Sequence, residues 1–394
     1  MKKLGDTKSQ HYVPRFILRK FSRDTRRISL VTASDGRRVD GASIAGQCQG
    51  SYFYGSDQQM ERSFSDEETR ISKYLSTLTP DHLNGLPPAA YDELRNYVHY
   101  QQARTLGAAQ HLSEMAGAFA KSVLRDHIRL NKPPGIKVED LDLVKIGLKG
   151  AQHDSIWFAA KTLPVMSDMA VKFILTDRPI GFVISDHPVA AYNQFAEHHP
   201  ALRSCSYSTG LAHKGLQLFL PISPSVTLAI YDPETYEYGG KGRVCRAGPR
   251  DVAYLNRIQA VNAWNCLYFH PDRIDGPTLD DLLRTRKNHR SIYKKPLDES
   301  SLQERSDGKL SRFVVVSTID IRVGAKLDLI RPKDGHSYTY YEEPSVPVRS
   351  PQLVAFTEAY GQDLEKRVRE GRAAQEKEHG DIGVRGTNSS PEPT

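Results

Sequence analysis

The period of the hydrophobic pattern changes once along this chain, near residue 171, and this change restricts the possible folds more than any other feature. Before it, apolar residues recur at helical spacing and predict helices over 57–78, 90–129 (interrupted near Gly107) and 139–161. After it, short apolar runs between turn residues predict strands over 171–175, 181–185, 216–220, 227–231 and 263–269, with a helix over 252–259. Because helices and strands do not alternate there, we expect an α+β fold with a mostly antiparallel β-sheet.

The N-terminal region is predicted to hold a short helix and a hairpin. Pro14 can occupy the first turn of a helix over 13–22, where its missing N–H is harmless. Three arginines then recur at every fourth position on one face: Arg15, Arg19 and Arg23. Strands are predicted over 28–33, 39–44 and 51–54, the first two joined by a turn at Asp35-Gly36.

We expect residues 1–270 to form one α+β domain. The rest of the chain is expected to follow it as a linker, a small extension and a tail. Residues 271–308 are polar and basic, which is typical of a linker. Residues 309–345 predict a small β-rich extension, a meander of strands over 312–316, 319–322, 326–330 and 338–341. Residues 346–394 predict a charged helix followed by a disordered tail.

Composition restricts the function only broadly. The chain has 394 residues and a formal net charge of +7, which permits a nucleic-acid or phosphate-containing partner without requiring one. No stretch is apolar enough for a membrane span, and no secretory signal is visible, so we expect a cytoplasmic protein. The four cysteines are isolated in sequence, so neither a zinc site nor a disulfide framework is predicted.

A resemblance to a known family begins with the segment Gln10-His11-Tyr12-Val13-Pro14-Arg15-Phe16. Similar blocks follow in order: Tyr52-Phe53-Tyr54-Gly55, Gln102-Ala103-Arg104-Thr105, Ile184-Ser185-Asp186-His187-Pro188-Val189, Leu220-Pro221-Ile222-Ser223-Pro224 and Leu255-Asn256-Arg257. Over roughly residues 8–270 the chain resembles the domain of unknown function DUF4238. The resemblance implies no established reaction, cofactor or partner.

His11 is the first candidate for chemistry. An imidazole beside Arg15 could deprotonate water while the arginine holds a phosphate, as the histidine of His-Asn-His nucleases does. The second histidine or asparagine of those sites is not recognisable after Pro14. The alternative is that His11 bonds to a backbone group and fixes the N-terminal segment.

Glu61 and Glu68 lie on one predicted helix face with the apolar residues Phe64 and Ile71. Carboxylates on a core-facing surface are costly unless they are paired, protonated or bound to metal. The alternative for Glu68 is a capping box with Ser65 as the N-cap residue.

Arg104 and Asp186 complete the candidate set. Arg104 borders the buried face of its predicted helix, so we expect it to pair with Glu61 or Glu68 in a structural or a catalytic role. Asp186 ends a predicted strand, where it could bind a metal, orient His11 or simply form a turn.

We therefore hypothesise a metal-assisted phosphodiesterase or nuclease, a bacterial defence or toxin effector that acts on nucleic acid. In this hypothesis Glu61, Glu68 and Asp186 bind magnesium or manganese, His11 activates water, and Arg15 and Arg104 bind the phosphate. The alternative is a non-catalytic nucleic-acid-binding or interaction protein with an internal salt-bridge network. The sequence does not indicate an oligomeric state.

Overall fold

The structure is a computed structural model. It describes residues 8–56, 58–203, 205, 208–240, 242–292, 302–304, 310–312, 319–333 and 346–384.

Helices in the described residues, in chain order, are α1 (Arg15–Leu18), α2 (Gln59–Tyr74), α3 (Pro80–Asn84), α4 (Pro88–Ala103), α5 (Leu106–Asn131), α6 (Asp140–Leu143), α7 (Ala151–Thr162), α8 (Gln194–His198), α9 (Pro249–Asn262), α10 (Gly276–His289) and α11 (Pro351–Val384). Short 3-10 turns cover Arg19–Phe21, Ile44–Gly46 and Leu163–Met166. None of the helices in the described part of the chain is long and apolar enough to cross a membrane.

The longer strands are β2 (Arg27–Thr32), β3 (Arg38–Ser43), β5 (Ala170–Leu175), β8 (Gln217–Ser223), β9 (Val226–Tyr231) and β12 (Cys266–Phe269). The shorter ones are β1 (Ser9–His11), β4 (Gln49–Ser51), β6 (Ile184–Ser185), β7 (Ala190–Tyr192), β10 (Tyr236–Tyr238), β11 (Val244–Arg246), β13 (Arg290–Ile292), β14 (Leu302–Glu304), β15 (Leu310–Arg312), β16 (Ile319–Ile321) and β17 (Ile330–Pro332). One sheet has the order β11-β5-β9-β8-β7 and another the order β3-β2-β12-β6. Every ladder among these strands is antiparallel except the one between β11 and β5, which confirms the predicted α+β fold.

The five-stranded sheet lies between two hydrophobic cores. Adjacent residues of a strand point to opposite faces, so Phe173 packs in one core and Ile174 in the other. Leu218 and Phe219 are divided in the same way. The first core includes residues of α2 and α4, and the second includes residues of α9. Burial on both faces explains why these strands are continuous apolar runs in the sequence.

The helical middle follows the prediction except for the short helix α3, which was not predicted, and for residues 144–150. The helix expected over 139–161 is wrong there: α6 ends at Leu143 and α7 begins only after Gly150, which has a φ of 81°. The intervening backbone packs closely on α5, because a Cβ on Gly117 would lie 2.1 Å from the carbonyl oxygen of Ile146. This close contact favours an extended segment over a continuous helix.

The predicted hairpin is present as β2 and β3, and the predicted helix over 13–22 is shorter than expected. It consists of α1 and the 3-10 turn Arg19–Phe21. The strand predicted over 51–54 is also shorter, because Tyr52 has a φ of 50° and turns the chain after β4.

The linker expected over 271–308 is wrong for residues 276–289. These residues form α10, which buries Leu279 and Leu282 in a third core against β12 and α9. The β-rich extension is not a self-contained meander either. β16 pairs with β13 and β17 pairs with β10, while Ile321 and Leu327 are buried in the core beside α9. The strand expected near residues 338–341 and the disordered end of the tail lie outside the described residues.

Candidate functional site

The N-terminal segment is fixed in the body of the protein by backbone and side-chain hydrogen bonds. β1 pairs with β4, and the buried amide of Gln10 accepts a bond from the N–H of Tyr54 (2.6 Å) and donates one to the carbonyl of Gly55 (3.1 Å). The amide of Gln101, in α4, donates to the carbonyl of Tyr12 (2.8 Å). The segment is therefore ordered, as expected for one that contributes to the core or to a site.

His11 is held by its Nδ1 atom, which lies 3.0 Å from the carbonyl oxygen of Gln47. A carbonyl only accepts hydrogen bonds, so Nδ1 carries the proton and Nε2 of the neutral ring keeps a free lone pair. Burial and the charge of Arg15 lower the pKa of His11, partly offset by the bond to Gln47, and Arg19 lowers it further. The bond that fixes the segment therefore also selects the tautomer that a general base requires.

The two glutamates lie on the predicted face of α2. Phe64 and Ile71, which share that face, are buried, and both glutamates are partly buried beside them. The pKa of Glu61 is raised by burial and by the charge of Glu68, against an opposing effect of Arg104. In the described part of the chain, the Glu61 carboxylate accepts no hydrogen bond.

The capping interpretation of Glu68 is wrong. α2 begins at Gln59, so Ser65 lies inside the helix and cannot be an N-cap residue. The residue at the N-cap position is Gln58, with a φ of 63° and no capping hydrogen bond from its side chain. Glu68 is free to bond elsewhere.

Arg104 forms the expected pair with Glu68. Its guanidinium is 1 % exposed, and Nη2 lies 2.6 Å from Oε1 of Glu68. Nε donates to the side-chain oxygen of Gln101 (2.9 Å), and the guanidinium carbon lies 4.7 Å from the ring centre of Phe64. Burial lowers the pKa of Arg104, but the charge and hydrogen bond of Glu68, together with Tyr54 and Tyr97, outweigh burial and raise the pKa above its ordinary value.

A cleft of about 340 Å³ brings most of the predicted residues together. It is lined by His11 and Arg15 from the N-terminal segment and by Glu61 and Glu68 from α2, with Arg19 also at its wall. Within the described part of the chain, the guanidinium groups of Arg15 and Arg19 form no hydrogen bond or ion pair. The cleft thus combines a neutral imidazole, two carboxylates and two guanidinium groups that have no partner among the described residues.

A second cavity, of about 620 Å³, adjoins this cleft and shares Arg15 and Arg19 with it. Arg26 also lines it, and its guanidinium has no partner among the described residues. Arg23, the third arginine of the predicted face, is instead paired with Asp272 and belongs to neither cavity. Positive charge therefore extends from the cleft into this second cavity.

Asp186 is not part of this cleft, and its expected role as a metal ligand there is corrected. Oδ1 accepts a bond from the N–H of Trp264 and Oδ2 accepts one from the N–H of Asn265, both at 2.8 Å. Burial raises its pKa, against the lowering effect of these backbone bonds. Asp186 instead fixes the turn that leads into β12.

Sequence reasoning missed Gln101 and undervalued Arg19. Gln101 joins the N-terminal segment to Arg104, and its signal was a fully buried amide within an otherwise apolar helix face. Arg19 was placed on one helical face with Arg15 but was not included among the candidate site residues.

Comparison with known proteins agrees with the resemblance of the N-terminal motif. Residues 9–273, more than half of the chain, match the family described as protein of unknown function (DUF4238), and the chain belongs to that family. No curated protein and no solved structure shows a significant match. In the residues that the structure describes, no three His, Cys, Asp or Glu side chains are grouped closely enough to hold a metal ion by themselves.

Proposed function

We propose that the cleft binds a phosphate-containing substrate, with nucleic acid as the substrate class, and hydrolyses a phosphodiester bond. The observation that carries this proposal is the convergence on one open cleft of His11, Glu61 and Glu68 with Arg15 and Arg19, which are unpaired in the described part of the chain.

His11 is suited to act as the general base. Its lowered pKa keeps the ring neutral near pH 7, and its bond to Gln47 leaves Nε2 unprotonated. In the proposed step, Nε2 takes a proton from water, the water oxygen bonds to phosphorus, and the bond from phosphorus to the leaving oxygen breaks. A positioned base contributes about 10²- to 10⁴-fold to such a step.

Arg15 and Arg19 are suited to bind the phosphate. Guanidinium groups bind phosphate oxygens through paired hydrogen bonds, and these two do not first have to break a bond to a protein carboxylate. Their position beside His11 would place the scissile phosphate near the base.

The carboxylates fit a divalent cation that the substrate helps to hold. Glu61 has no hydrogen-bond partner in the described residues, and the recorded bond of Glu68 to Arg104 uses only Oε1. Magnesium is commonly bound by one or two carboxylates together with substrate phosphates and water, so a third protein carboxylate is not required. When bound, such a cation would stabilise the negative charge that develops on the phosphate.

The buried pair between Arg104 and Glu68 supports a second candidate, a non-catalytic nucleic-acid-binding or interaction protein. Arg104 is sealed from solvent and cannot contact a substrate phosphate without leaving Glu68. In this alternative the carboxylates serve the internal salt-bridge network, and the cleft arginines only bind.

The test measures degradation of single-stranded RNA, single-stranded DNA and duplex DNA with magnesium or manganese. We expect His11→Ala and Glu61→Gln to lower the cleavage rate at least about 100-fold, and Arg15→Ala to weaken substrate binding. Arg23→Ala is the matched control, an exposed arginine of the same segment outside the cleft. Cleavage that continues unchanged in His11→Ala refutes the assignment of catalysis to this cleft. Salt-sensitive binding without cleavage supports the second candidate.

A further inference from the structure

A second site, separate from the cleft, lies between α4, α5 and α7 and the edge of the five-stranded sheet. It is a cavity of about 350 Å³, and none of the described residues that line it also lines the cleft. Its wall is largely apolar and includes Ala108, Leu112, Met115, Phe158 and Leu211. Among the described residues that line it there is no Lys, Arg, Asp or Glu, which disfavours a charged ligand.

His99, in α4, lines this cavity and is only 3 % exposed. Its Nε2 lies 3.0 Å from the carbonyl oxygen of Ala159 and 3.1 Å from Oγ1 of Thr162. The hydroxyl of Thr162 itself donates to the carbonyl of Phe158 (2.8 Å), so both groups near Nε2 accept, and Nε2 must carry the proton. Burial lowers the pKa of His99 to about 4, so the ring is neutral near pH 7.

The other ring nitrogen, Nδ1, is therefore a bare acceptor. It is buried and has no hydrogen-bond partner among the described residues. Buried acceptors without a partner are uncommon in proteins, because the lost hydration is not replaced. The cavity is mainly but not wholly apolar, since Gln102, His111 and Asn262 also line it. An unsatisfied acceptor on a residue that lines such a cavity indicates a ligand that supplies a donor.

We propose that this cavity binds a small, uncharged, mainly apolar molecule with one hydroxyl or N–H group, which donates a hydrogen bond to Nδ1 of His99. The cavity has the size of small-molecule sites, which are typically about 300–1,000 Å³ and combine apolar walls with a few polar groups. The proposal is independent of the reaction proposed for the cleft, because the two sites share no residue in the described part of the chain.

The test uses three probes and their methylated counterparts: phenol with anisole, indole with N-methylindole, and 2-naphthol with 2-methoxynaphthalene. Binding to the full chain is measured by calorimetry. We expect at least one donor-bearing probe to bind at least about tenfold more tightly than its counterpart, since tenfold corresponds to one modest hydrogen bond. Equal affinity within all three pairs, or no binding at millimolar concentration, overturns the proposal.

Two further measurements locate the binding. Ala108→Phe places a ring in the cavity and should abolish binding, whereas Ala118→Phe, an exposed position of the same helix outside the cavity, should leave it unchanged. In the wild type, the ¹⁵N resonance of Nδ1 of His99 should move on binding of the donor-bearing probe and not with its methylated counterpart. Binding that survives Ala108→Phe, or a His99 resonance that does not respond to a bound probe, also overturns the proposal.

Discussion

Nη2 of Arg104 lies 2.6 Å from Oε1 of Glu68, and this pair joins the end of α4 to the middle of α2 behind the cleft. The two partners differ in exposure, because the Arg104 side chain is 1 % exposed and the Glu68 side chain 25 %. Any change at Glu68 therefore affects stability as well as the cleft.

We expect Glu68→Gln to lower the free energy of unfolding by on the order of 3 kcal/mol, because it leaves the buried charge of Arg104 uncompensated. Glu61→Gln should change it by less than about 0.5 kcal/mol, since the Glu61 carboxylate has no bond to lose in the described structure. Urea unfolding of both variants measures the difference. Equal destabilisation would contradict the assignment of Arg104 to Glu68, and Glu61→Gln is accordingly the better probe of the cleft.

Arg15→Ala should raise the pKa of His11. The charge of Arg15 is the second cause, after burial, of the lowered pKa, and its removal favours the protonated ring. If His11 is the base, the acidic limb of the kcat/KM profile moves to higher pH, because the variant loses its unprotonated base earlier as pH falls. An NMR titration of His11 checks the shift independently of activity, with Arg23→Ala as a control that should leave the pKa unchanged.

Acid should destabilise the protein through His99. Its pKa is lowered from 6.5 to about 4 in the folded state, so between these values the unfolded chain binds the proton that the folded chain rejects. The contribution of neutral His99 to the free energy of unfolding is fully present above pH 6.5. It decreases by roughly 3 kcal/mol as the pH falls towards 4. His99→Gln should show a correspondingly smaller loss between pH 7 and 4 in urea unfolding. The same pH dependence in the wild type and in His99→Gln would contradict the assignment of the acid destabilisation to His99.

Arg349 should anchor the start of α11. Its buried guanidinium donates to both carboxylate oxygens of Asp168 and to the carbonyls of Val165, Leu211 and His213. Arg349→Ala leaves these acceptors without their donor, and we expect it to lower the free energy of unfolding by about 3–5 kcal/mol. Hydrogen exchange should accelerate in the first turns of α11. Arg367→Ala, at an exposed pair within the same helix, should leave exchange there unchanged.

The sequence was sufficient to predict most of the fold and the acidic side of the cleft. Helical spacing placed Glu61 and Glu68 on one face of α2, and the continuous apolar runs identified the strands of the five-stranded sheet. Both patterns are local. The helical spacing of α2 and the apolar runs of the strands each reflect which residues are buried, so the folded structure retains them.

The remaining features depend on contacts between distant segments. Asp186 resembles a site residue in sequence, but the N–H groups of Trp264 and Asn265 occupy both of its oxygens. The linker expected over 271–308 is polar overall, yet Leu279 and Leu282 are enough to dock α10. The bonds to Asp186 leave no trace in the local pattern, whereas Leu279, Leu282 and Leu283 do recur at helical spacing within the polar segment.

The region shared with the family ends at residue 273, while the second core depends on residues beyond it, among them Ile321 and Leu327. The family boundary is therefore not a boundary of cooperative folding. A chain shortened to residues 9–273 would leave part of α9 uncovered, and its aggregation would say nothing about the chemistry of the cleft.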